Sequence, residues 1–146
     1  MQELLATVSD LDLIAFANEA FYQAFAGLDF ALMTDVWARE SEVRCMHPGS
    51  QPIFGREPVL ASWREIFAHG QPGMISYQVR ETALSGGLGI VCCFEAVNGH
   101  FGIATNLFAR EGNRWRMIHH QAGPLAKAPA ARAPGQIAEE PSPLPN

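Results

Sequence analysis

The chain has 146 residues, of which 48% are hydrophobic and 17% charged, and its formal net charge is −5. That length and apolar content suit one domain around one core, and 10% aromatic residues argue against disorder over the body of the chain. An acidic balance with no basic block argues against a nucleic-acid binder, and no apolar run approaches the ~18 residues that a bilayer span needs.

The first ten residues carry neither a basic region nor a long apolar stretch, so no signal peptide is expected and the cytoplasm is the default location. Ser9 and Asp10 are good cap residues, and Leu13, Ile14, Ala17, Phe21, Ala24, Phe25 and Leu28 follow at helical spacing, with Gly27 as a stop. A short second helix capped by Asp29 carries Leu32, Met33 and Val36. A strand over Glu42 to Met46 ends at His47-Pro48-Gly49, where proline and glycine break a ladder. Gly55 to Pro58 leads into a third helix striped by Val59, Leu60, Trp63, Ile66 and Phe67, with proline in the first turn, where its missing N–H is harmless.

Beyond Gly70 the periodicity changes to that of strands. Four are predicted, over 75–84, 88–97, 101–110 and 114–122, joined by Ser85-Gly86-Gly87, Asn98-Gly99 and Glu111-Gly112-Asn113. Helices followed by a four-stranded antiparallel meander make an α+β chain, not an alternating βα one. Residues 1–123 form the predicted domain. Residues 124–146, rich in proline and alanine, read as a tail that buries little.

The runs Phe21–Phe25 and Met33–Trp37 resemble the opening of SnoaL-like domains, as do Val43–Gly49, Gly55–Leu60 and Ser62-Trp63. Ala104–Phe108 and Gly112–His120 are similar to the last two strands of that family, which shares a cone-shaped fold with ketosteroid-isomerase-like proteins. The resemblance implies N-terminal helices packed in a strongly curved antiparallel sheet, a pocket at the open end of the cone, and a homodimer paired through the sheet. It also implies isomerase, dehydratase or cyclase chemistry on a small, largely apolar ligand. The alternative is a non-catalytic oligomerisation role like that of the calcium/calmodulin-dependent kinase association domains, which the chain also resembles. One fold hosts all of these, so the site must decide.

Family isomerases and cyclases use a carboxylate in an apolar pocket. The four aspartates, Asp10, Asp12, Asp29 and Asp35, all lie in the first 35 residues, on helices. Glu95 lies in an apolar strand, on one face with Cys93 and Val97, and is open to two readings: a pocket base, or a paired charge on the solvent or dimer face. Histidine is the other proton carrier near neutrality. His47 ends the first strand at the expected mouth of the cone. On the last strand, strict alternation puts His119 and Gln121 on the face of Trp115 and Met117, taken as the inner one. His47 and His119 are therefore the candidate acid and base. Trp37 and Trp63 are core residues or cavity walls, and Cys45 and Gln121 flank the two histidines as further ligand contacts. Arg44, Arg110 and Arg116 would suit an anion if they pointed inward. No metal, cofactor or nucleotide motif is present, and the three cysteines read as free thiols.

Overall fold

The computed structural model describes residues 8–129, so most of the proline-rich tail expected over 124–146 lies outside the described residues. Ser9 starts α1 (Asp10–Gly27). Its hydroxyl accepts from the Asp12 N–H at 3.1 Å, and the Asp12 carboxylate accepts from the Ser9 N–H at 3.4 Å, which satisfies two otherwise unpaired helix-end donors. The buried residues of α1 are Ile14, Asn18, Phe21, Tyr22 and Ala24, so two polar side chains share the apolar face. The helix ends at the expected glycine, Gly27, but the cap is the next residue. Leu28 itself takes the left-handed turn at φ 53°, and its side chain lies over Gly70, where a Cβ would meet Leu28 Cδ2 at 3.1 Å.

Asp29 caps α2 (Phe30–Val36) by accepting from the Leu32 N–H at 3.0 Å. Then come β1 (Arg44–Met46), β2 (Ile53–Phe54), α3 (Arg56–Ala68), β3 (Ile75–Ser85), β4 (Leu88–Val97), β5 (His100–Glu111) and β6 (Arg114–Pro124). The sheet order is β2-β1-β6-β5-β4-β3. The four long strands form the expected meander, and Asn98 and Gly99 turn one hairpin at φ 51° and 85°. The sheet as a whole is mixed, because β1 reaches it from the helical layer and runs parallel to β6. The two-residue β2 is too short to carry a readable alternation.

Two irregularities bend the long strands. On β3 the pairing jumps between Val79 and Glu81, and on β6 it jumps from Met117 to His119, leaving Ile118 as an extra residue. One face of the sheet receives the helices. Phe21, Met33, Trp37, Val59, Trp63, Val91, Phe108 and Met117 are all fully buried there.

The link between α2 and β1 carries no regular structure, so charged side chains hold it. The Glu111 carboxylate accepts from the backbone N–H groups of Arg39, Glu40 and Ser41 at 2.9–3.0 Å. From the other side the Arg56 guanidinium donates to the carbonyls of Thr34, Trp37 and Ala38 at 2.7–3.0 Å. Ala38 then donates to Met117 O at 2.9 Å, and Trp37 bridges Met117 in parallel. Replacing Arg56 with methionine keeps the side-chain stem and leaves those carbonyls without the fork. We expect it to lower unfolding free energy by about 2–3 kcal/mol in denaturant titration, with lysine recovering less than half.

Candidate functional site

The polar residues on the buried stripe of α1 meet polar residues of the sheet. Tyr22 donates its hydroxyl proton to Glu95 Oε2 at 2.5 Å, and Asn106 Nδ2 donates to Asn18 Oδ1 at 2.9 Å and to the Tyr22 oxygen at 3.3 Å. Asn106 Oδ1 accepts from His120 Nδ1 at 2.6 Å, and Asn18 Nδ2 points at Cys93 Sγ at 3.5 Å. Alternation explains how the sheet supplies its share. Val91, Cys93 and Glu95 of β4, Ala104, Asn106 and Phe108 of β5, and His120 of β6 all face inward.

Glu95 and His120 also line a cavity of about 320 Å³ between α1, α3 and the sheet. Its walls are largely apolar, built from Phe25, Leu28, Trp63, Ile66, Ile75 and Val97, with His47 and Pro48 at one side. A second lobe of about 280 Å³ shares Pro48, Glu95, Val97 and Asn98, and runs on past Phe101, Gly102 and Gly123. Glu95 thus stands where the two lobes meet.

Burial sets the acidities. It pushes the Glu95 carboxyl up to about 7, against the opposing hydrogen bond from Tyr22, so this group exchanges a proton at neutral pH. Burial, with the charges of His47 and His119, pushes His120 down to about 3, and burial alone lowers His47. Both imidazoles are therefore neutral. The thiols of Cys45 and Cys93 are driven up to about 12 by burial, which excludes either as a thiolate nucleophile. Among the described residues, no three His, Cys, Asp or Glu side chains stand close enough together to hold a metal ion. No helix among them is long and apolar enough to cross a membrane.

The predicted site residues divide accordingly. His47 and Trp63 line the cavity, with their rings 4.8 Å apart and near perpendicular. Cys45 is wholly buried behind His47, its sulfur 3.7 Å from Nε2, and Trp37 is sealed in the core by its bridge to Met117. The orientation expected for His119 and Gln121 is corrected. The extra residue Ile118 resets the alternation, so Trp115 and Met117 face inward before it and His120 and Ala122 after it. His119, opposite Leu107 and Arg44, and the exposed Gln121 lie on the outer face of the sheet. The arginines do not reach the cavity either. Arg110 pairs with Asp10 at 2.7 Å, Arg116 bonds the Asp35 carbonyl and lies 3.6 Å from Glu111, and Arg44 sits 3.9 Å from Glu42. Tyr22, Asn106 and His120 escaped the sequence reading. Asn18 and Tyr22, spaced by four on an otherwise apolar stripe, were the signal that could have found the network.

The raised acidity of Glu95 has a consequence for stability. Between about pH 4.5 and 7 the folded chain holds a proton at Glu95 that the unfolded chain has lost, so the Glu95 contribution to stability falls as pH rises through this window, while His120 and His47, held neutral by burial, contribute in the opposite sense. The Glu95 contribution is about 3 kcal/mol and is fully present below the lower limit. Denaturant titrations across the window should therefore show stability rising more steeply with pH, or falling less, in Glu95→Gln than in the wild type, and identical pH profiles for the two would overturn the raised pKa of Glu95.

Comparisons with known proteins agree with this architecture. A proposed dehydratase of the NTF2-like family from Streptomyces avermitilis superposes with TM-score 0.71 at 27% identity, covering 81% of this chain and 97% of that one. A proposed calcium/calmodulin-dependent protein kinase type II association domain from Thiobacillus denitrificans superposes with TM-score 0.64 at 32% identity, covering 75% and 92%. A ketosteroid isomerase-like protein from Erwinia carotovora atroseptica superposes with TM-score 0.68 at 15% identity over 83% and 100%, a likeness of fold alone. The F-box protein SKIP8 of Arabidopsis thaliana is 24% identical over 109 residues, 73% of this chain, which spans 47% of that protein's length. Residues 14–127 match the family model of the SnoaL-like domain, and the chain belongs to that family.

Proposed function

We propose that the chain binds a small, largely apolar molecule in the cavity and moves a proton on it, with Glu95 as the acid–base group. One observation carries this reading: a carboxyl only 5% exposed, facing an apolar cavity and held by a single side-chain hydrogen bond from Tyr22. Burial brings its acidity close to neutral, where a general base is most effective. His47, which also lines the cavity, is a neutral partner able to pass or hold a proton. This moves the chemistry from the pair His47 and His119 to Glu95, with the two cavity-lining imidazoles beside it. Isomerase- and dehydratase-type steps both begin with such a transfer.

The assignment can be tested without the natural substrate. In 5-nitrobenzisoxazole a base removes the C–H proton of the isoxazole ring, the electron pair closes a nitrile, and the N–O bond breaks to leave a phenolate. The wild type should accelerate this elimination, with a rate that rises with pH as Glu95 loses its proton and levels off above about 7. Glu95→Gln should lose about 100-fold or more of the enzyme-dependent rate. Equal rates for the two proteins would sink the assignment of Glu95 as base.

A second reading, assembly through the outer face of the sheet, is favoured by a different feature. Ile103 is 45% exposed there, directly opposite Phe94 on β4. We propose that this face pairs two copies, in line with the 32% identity to the association-domain structure. Sedimentation should then report a dimer for the wild type and a monomer for Ile103→Arg, whereas a monomeric wild type removes this reading.

A further inference from the structure

The direction of each hydrogen bond around the cavity can be worked out from its partners. The Ser62 hydroxyl donates to the Val59 carbonyl at 2.7 Å, so its lone pair accepts the Nε2 proton of His47 at 2.9 Å and leaves His47 Nδ1 an acceptor. Asn106 uses its amide N–H groups toward Asn18 and Tyr22, so its oxygen takes the Nδ1 proton of His120 and leaves His120 Nε2 an acceptor. Tyr22 directs its own proton to Glu95. Each donor of this buried group is therefore engaged inside the chain, and what remains open once Glu95 is ionised is its second carboxyl oxygen and the Nε2 lone pair of His120, while His47 Nδ1 lies 4.0 Å from the Cys45 sulfur.

Among the described residues no lysine or arginine lines the cavity, and the Trp63 indole N–H is fully buried toward the Cys45 sulfur. The exposed side chains of Gln71 and Asn98 at the rim each carry both a donor and an acceptor. A ligand carboxylate would meet only lone pairs and the Glu95 carboxyl. Once Glu95 is ionised, above about pH 7, a bare ketone would find no donor on the floor for its oxygen, and an ammonium would exchange full hydration for a carboxylate already shared with Tyr22.

We infer that the cavity selects a neutral, largely apolar molecule carrying a hydroxyl group, which donates its proton to the floor formed by Glu95 and His120. This rests on the small-molecule reading of the cavity and adds the chemical class of what enters it. The group that Glu95 deprotonates, or from which it assists departure, is then this hydroxyl or the carbon beside it.

The test uses the wild-type protein at about pH 8, where Glu95 is ionised, and four naphthalenes of similar shape, by titration calorimetry. 2-Naphthol should bind at least tenfold more tightly than 2-methoxynaphthalene, which keeps the rings and loses the donor. 2-Naphthoate and 2-naphthylmethylammonium should both bind more weakly than the naphthol. Equal binding of naphthol and its methyl ether, or tighter binding of either ion, overturns the hydroxyl assignment while leaving the cavity a small-molecule site. Binding of none of the four removes the cavity reading and this inference with it. Nitrogen-15 spectra of the histidine rings give an independent check. His120 should be the Nδ1-protonated tautomer and His47 the Nε2-protonated one, and an Nε2 proton on His120 would put a donor on the floor and overturn the proposal.

Discussion

A carboxyl placed among apolar side chains must find its hydrogen bonds inside the protein, and much of this molecule is arranged around that need. Glu95 takes its bond from Tyr22, Tyr22 is met by Asn106, and Asn106 also engages Asn18 and His120. The four partners come from α1, β5 and β6, and each is at most 2% exposed. Apolar burial alone would let α1 slide along the sheet with little penalty, because area is indifferent to register. The polar chain is not indifferent. A shift of one residue would leave a buried hydroxyl, an amide and a carboxyl unpaired together, at roughly 1–3 kcal/mol for each.

The same arrangement makes the site chemically distinctive. The aromatic and aliphatic walls that exclude water from Glu95 also raise its acidity to where a proton moves easily, and they keep the imidazoles neutral. Cys45 and Cys93, although next to the site, are held as inert thiols by the same burial. One physical term, desolvation, therefore separates the group that can transfer a proton here from those that cannot.

Much of the fold was legible in the chain because its signals are local. The Ser9 and Asp29 caps, the Asn98-Gly99 turn and the bounds of β4 depend on neighbours a few residues away. The inward placement of His47 and Trp63 followed from a strand end and a helical stripe. The parallel pairing of β1 with β6 and the existence of β2 were not legible, since both depend on where a distant strand comes to rest.

The site was legible as a set of residue types and not as an arrangement. Alternation correctly grouped Cys93, Glu95 and Val97, because β4 is unbroken on that side, but periodicity cannot say whether a face meets solvent or helix. On β6 the extra residue at Ile118 exchanged His119 for His120, and nothing in Met117-Ile118-His119-His120 announces where the ladder will skip. The sequence by itself therefore determined the three helices, the four long strands, their order and the supply of proton-carrying side chains, all of which rest on short-range sterics and capping. Tertiary structure alone decided which histidine faces the cavity and that Glu95 would be buried against Tyr22, because register and desolvation are properties of the packed chain and not of any segment of it.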